Sequence, residues 1–93
     1  MYGTVAKMRV RPENVATLRG VMARQEDVPM EGYIATHVLQ ENDSDVVWML
    51  AIFQDRETYD RNADDPAMHE RYVEYRALLE EDPEWHDGAI DSG

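Results

Sequence analysis

His37, Tyr59 and His69 are the side chains of this sequence best suited to handling a proton near neutral pH. Histidine has its ordinary pKa there, and a tyrosine can hold a substrate oxygen through its phenol. His37 lies among apolar neighbours in the stretch Tyr33 to Leu39. That predicts an interior imidazole, either a proton acceptor or a histidine satisfied by a backbone carbonyl. His69 follows Asp65 by one helical turn, so the pair can share a face, where it would cap the helix or orient the ring. A single Asp/His pair is not a metal site, which normally shows three or four ligands, and no metal is expected. His86 alternates away from Trp85 and Asp87 and is placed at a surface or a dimer edge. The chain has no cysteine, which excludes a disulfide framework, a thiolate metal site and a cysteine nucleophile. It also lacks a Gly-rich phosphate loop, a serine elbow and a zinc-binding His-Glu pair.

Those residues need elements to position them. Tyr2 to Val10 alternates with a period of two, with Tyr2, Thr4, Ala6, Met8 and Val10 on one side, and is read as a strand. Pro12 suits a first helical turn, and Val15, Leu18, Val21 and Met22 form a stripe, so a helix is predicted from about Pro12 to Gln25. Pro29 and Gly32 mark the connection to a second strand, Gly32 to Glu41. A polar turn, Glu41 to Asp45, then leads to a third strand, Val46 to Phe53. All eight residues of that strand are apolar, so both of its faces must be covered.

Asp55 is a suitable N-cap for a short helix, and Asp65-Pro66 opens a second one. Met68, Tyr72, Tyr75 and Leu79 fall on one face of that helix, which Asp82-Pro83 ends. Trp85 to Ile90 is the last strand. The order predicts one α+β domain over residues 1–93, a ferredoxin-like βαββαβ plait with an extra short helix. Two right-handed crossovers put the helices on one face of such a sheet. Seven or eight apolar side chains would then remain on the other face, more than a lone chain tolerates. A second copy packed sheet to sheet is the simplest cover, so a homodimeric α+β barrel is expected.

The net charge is −11 and unevenly spread: residues 1–54 hold seven acids and five bases, residues 55–93 thirteen and four. Such a surface repels phosphate, so neither nucleic acid nor an anionic membrane is an expected partner. The opening MYGTVAKMRV lacks the pattern of a signal peptide, and no run reaches the roughly 20 apolar residues of a membrane span. A soluble, cytoplasmic protein is expected.

Several stretches resemble the antibiotic biosynthesis monooxygenase family. They are Trp48 to Tyr59 at the strand-to-helix passage, Asn62 to His69 at the break before the long helix, and Glu81 to Gly88 at the entry to the last strand. The resemblance covers nearly the whole chain. It implies the dimeric barrel, with a small-molecule pocket between sheet and helices. It also implies cofactor-independent oxygenation of quinols or aromatic polyketides, without flavin or metal, because an ionised phenolic substrate can itself give an electron to oxygen. Tyr59 falls where the polyketide oxygenases place a pocket tyrosine. Phe53 replaces their strand-end tryptophan, and Met49 replaces an asparagine. Lys7, Asn62 and Tyr72 stand at three positions that differ from the haem-degrading branch, so haem degradation is not implied.

The expected activity is therefore a cofactor-independent monooxygenase on a quinol or other electron-rich aromatic. His37 and His69 would be proton acceptors and Tyr59 a hydrogen-bond donor. Trp48, Phe53, Asn62 and Tyr72 are the expected substrate contacts. Each has a plainer reading. Tyr59 would pack helix to sheet, Tyr72 and Tyr75 would be core, Trp48 would pack in a core or a dimer, and Asn62 would be a turn residue. The alternatives to an enzyme are a non-catalytic small-molecule-binding homodimer and a structural module whose pocket is filled by its own side chains.

Overall fold

The computed structural model describes residues 1–26 and 30–91, so Pro29 lies outside the described residues. Strand β1 spans Tyr2–Arg9, a single 3-10 turn Pro12–Asn14 leads into helix α1, Val15–Glu26, and strand β2 spans Tyr33–Gln40. Then come β3, Val46–Phe53, helices α2, Arg56–Ala63, and α3, Pro66–Arg76, and finally β4, Glu84–Ala89. The four strands form one antiparallel sheet in the order β2-β3-β1-β4. That is the α+β ferredoxin-like plait expected from the order of elements.

Alternation along β1 decides which face is the core. Thr4, Ala6, Met8 and Val10 are all buried. Across the sheet they meet Val47, Met49 and Ala51, and from α1 they receive Leu18, Val21 and Met22. Met8, Val10, Leu18 and Val47 lose essentially all contact with solvent, each contributing about 1.5–3 kcal/mol of apolar transfer. The opposite face carries Val5, Trp48, Leu50 and Ile52, only partly covered, together with exposed Ile34 and Leu39. Among the described residues of the single chain, no helix lies over it. Among the described residues, no helix is long and apolar enough to cross a membrane.

Beyond shifts of a residue or a few at element ends, three features differ from the sequence reading. Helix α3 stops at Arg76, before Leu79. The chain tightens there into i to i+3 bonds, Leu78 N–H to Tyr75 O and Leu79 N–H to Arg76 O, and Leu79 instead bridges to Val10 as an extension of the sheet. Its side chain is buried all the same. Asn62 lies within α2 rather than in a turn. The side chains at Ile34 and beyond change faces because β2 carries a bulge: Tyr33 pairs with Phe53 while Ala35 pairs with Ile52, leaving Ile34 as the extra residue.

The caps of α2 and α3 are those read from the sequence. Asp65 accepts from the Ala67 N–H at 2.9 Å. Asp55 accepts from the Thr58 N–H at 2.8 Å and from the Thr58 hydroxyl at 2.9 Å. These bonds, the backbone one foremost, hold the Asp55 carboxyl below the usual aspartate range. A depressed folded-state pKa gives stability that is complete above the ordinary aspartate value. That stability is lost as pH falls through the lowered one. Asp55→Asn keeps a capping oxygen but cannot titrate. It should flatten the acid side of the stability curve, read as Tm between about pH 5 and about pH 2.

Candidate functional site

A cavity of about 320 Å³ lies between the inner face of the sheet and helices α2 and α3, within the range of about 300–1,000 Å³ usual for small-molecule sites. Aromatic rings form two of its walls. On one side Phe53 stands edge-on to both Tyr33 and Tyr59, with centroids 5.6 and 5.4 Å apart. On the other, Tyr72 meets Tyr75 at 5.5 Å and Trp85 at 6.3 Å. Met22, Met30, Met49 and Met68 fill the remainder. Flexible thioethers let such a wall adapt to irregular apolar shapes.

The polar groups are few. Tyr59 reaches from α2 to β4, where its hydroxyl donates to Asp87 Oδ1 at 3.0 Å. Asp87 stands opposite Thr4 in the β1–β4 register, and Thr4 lines the cavity. Burial first, and then the bond to Asp87 and its negative charge, push the Tyr59 phenol up to about 12, while the Thr4 hydroxyl works in the other direction. Tyr59 therefore stays a neutral phenol at any physiological pH. Burial likewise pushes the Tyr75 phenol up. Asn62 donates from Nδ2 to the Glu31 carbonyl at 2.9 Å and the Thr58 carbonyl at 3.0 Å. That ties α2 to the segment before β2 and leaves Asn62 on the cavity wall. Arg71 lines the cavity too, its guanidinium 3.2 Å from the sulfurs of Met30 and Met68. His69 lies at the rim, exposed. It is not paired with Asp65, whose carboxylate caps α3 instead.

Of the residues singled out from the sequence, the structure brings Tyr59, His69, Phe53, Asn62 and Tyr72 together around this cavity. It separates His37 and Trp48 from it. The imidazole of His37 was expected inside; it is exposed on the opposite face of the sheet, opposite Leu50. The bulge at Ile34 is the cause, since it leaves Thr36 and Val38 facing inward and turns His37 out. Trp48 also faces away. Its indole N–H donates to Glu41 Oε2 at 2.8 Å, and the Lys7 ammonium sits 5.8 Å above the ring. His86 points outward, as read, near Glu84.

Sequence reasoning missed Thr4, Tyr33, Thr36, Arg71 and Trp85 as lining residues, and Asp87 as the partner of Tyr59. The alternation of the first strand could have found Thr4. The alternation of the last puts Trp85 and Asp87 on one face, but that this face is the inner one follows only from the β1–β4 register.

A family model described as antibiotic biosynthesis monooxygenase matches residues 1–75. Against the curated proteins the chain has no match. Among solved structures, a conserved protein from Methanosarcina mazei superposes with a TM-score of 0.79 at 22% identity, over 97% of this chain and 92% of the other. A Chloroflexus aurantiacus protein assigned as an antibiotic biosynthesis monooxygenase gives 0.76 at 22%, over 99% and 94%. A variant of SnoaB, a cofactor-independent oxygenase from Streptomyces nogalater, gives 0.79 at 21%, over 99% and 94%. At these identities the superpositions establish the fold.

Proposed function

The chain belongs to the antibiotic biosynthesis monooxygenase family, and on that premise we propose that it is a cofactor-independent monooxygenase acting on a quinol or another electron-rich hydroxylated aromatic. The observation that carries this reading is the aromatic-walled cavity with the Tyr59–Asp87 pair on its side and His69 at its mouth. An ionised quinol gives an electron to dioxygen. One oxygen atom enters the product, and the other leaves as water with hydrogens and electrons that the substrate supplies. The protein's part is to exclude water, to hold the ring, to accept a proton and to stabilise the oxyanion. Rings from Phe53, Tyr72 and Trp85 hold the substrate, His69 accepts a proton, and Tyr59 meets a hydroxyl oxygen. The working unit in this reading is a homodimer, closed over the open face of the sheet.

Oxygen uptake with a panel of quinols tests the proposal. The native chain should consume oxygen with saturable dependence on quinol. Tyr59→Phe should lower kcat/KM by roughly tenfold to a thousandfold, the range of a single positioned donor or acceptor. No uptake above buffer with any quinol would remove the oxygenase reading. Saturable binding without uptake would replace it with a binding dimer.

A further inference from the structure

The sequence reading made Tyr59 a donor to substrate, and the structure assigns its proton elsewhere. We propose that Asp87 is a positioning residue that turns the Tyr59 oxygen into a hydrogen-bond acceptor, so that the cavity selects aromatics presenting a free hydroxyl over their ethers and quinones. This rests on reading the cavity as the site of a hydroxylated aromatic.

A tyrosine hydroxyl has one proton and two lone pairs, and an ionised carboxylate can only accept. The proton of Tyr59 points to Asp87 Oδ1 at 3.0 Å. What the oxygen still offers toward the cavity is a lone pair. The hydroxyl of Thr4, beside it on this wall, lies within reach of one lone pair of the Tyr59 oxygen and of the His86 carbonyl at 3.4 Å, and the second lone pair is left for a ligand. A ligand hydroxyl meeting Tyr59 therefore donates, and the hydrogen bonds run in one direction, from ligand to Tyr59 to Asp87. A charged terminus makes such a chain stronger than a neutral one. A methyl ether or a quinone carbonyl has no proton to give and would set its oxygen against the lone pair. During turnover the same line can carry a proton: the substrate O–H bond breaks as its proton passes to Tyr59, whose own proton passes to Asp87. A quinol has a second hydroxyl, free to face His69.

Calorimetric titration with naphthol, its methyl ether and naphthoquinone tests this without turnover, so its failure is distinct from a failure of oxygen uptake. The native chain should bind naphthol roughly tenfold or more tighter than the ether or the quinone, the worth of one hydrogen bond to an acceptor polarised by its own bond to Asp87. Asp87 is exposed, so its replacement should leave folding intact. Asp87→Ala frees the Tyr59 proton and should bring the preference for naphthol over the ether close to parity, with quinone binding improved. Asp87→Glu should restore the preference. In a Tyr59→Phe background Asp87→Ala should have no further effect. Equal affinities in the native chain, or a preference that survives Asp87→Ala, would overturn the proposal.

Discussion

Replacing Gly32 by alanine is expected to lower stability by roughly 2–5 kcal/mol, although the residue lies in a loop and does not line the cavity. Two separate effects add at this position. Gly32 has φ +75°, in the left-handed region, where a side chain costs roughly 1–2 kcal/mol. A Cβ there would also run into the side chain of Thr58, within 2.8 Å of its Cγ2. Thr58 is buried and cannot swing away without releasing its hydroxyl bonds to Asp55, so overpacking adds roughly 1–3 kcal/mol. Urea denaturation should show the full loss, and Tm should fall by at least about 10 °C. Thr58→Ala in the same chain removes Oγ1 and Cγ2 but keeps the Cβ that is also in the way, so it should recover only part of the steric cost, read as a coupling in a double-mutant cycle. A Gly32→Ala protein within about 0.5 kcal/mol of native, the size of an ordinary surface change, would contradict this account of the loop. The consequence reaches the cavity, because Gly32 also accepts the Gln54 N–H at 2.7 Å and so fixes where β3 hands over to the helix that carries Tyr59.

How much of this was legible beforehand depends on whether the signal is local. The caps at Asp55 and Asp65-Pro66 were legible because the capping oxygen and the N–H it satisfies lie within three residues of each other. The third strand was legible because an unbroken run from Val46 to Phe53 leaves no face for water. His37 was misplaced by one residue of bulge. Strict alternation from Tyr33 would put Tyr33 and His37 on the same face, whereas the extra residue Ile34 sends Tyr33 to the cavity and His37 to the outside. A bulge is chosen by the partner strand, and nothing in Tyr33 to Leu39 announces it. Asp87 was invisible as a partner of Tyr59 for the same reason. The two are 28 positions apart, and only the pairing of Thr4 with Asp87 across the sheet brings them together. Tyr59, by contrast, follows the cap by four residues on a short helix whose entry was already set, and its expected place in a pocket came from the family resemblance, the residues alone being equally met by packing between helix and sheet.

The second large effect is expected on the other side of the sheet, at Leu50. This residue pairs with Val5 on β1 and with His37 on β2, and Trp48 and Ile52 flank it on its own strand, all three only partly covered. Leu39 and Ile34 extend the apolar area, 59% and 50% exposed, while Lys7, Glu84, His37 and His86 lie around it. An apolar centre with a polar rim is the make-up of a protein interface. If two copies close over it by a two-fold axis, every Leu50 substitution is present twice. Leu50→Asp should then lose the burial of two leucines, roughly 3–6 kcal/mol at 1.5–3 each, and set two carboxylates against an apolar partner. Dimer affinity should weaken by at least about a hundredfold. Light scattering at about 10 µM, where typical specific dimers are associated, should give twice the chain mass for the native protein and a single chain for the variant. Circular dichroism should barely change, because Leu50 is not part of the core formed by Met8, Leu18 and Val47. A native protein of single-chain mass would remove the dimer, and a variant that stays dimeric would move the interface off this face. The two faces of β3 would thus divide the work: Met49 and Phe53 shape the cavity, while Trp48, Leu50 and Ile52 hold the partner that keeps the strand dry.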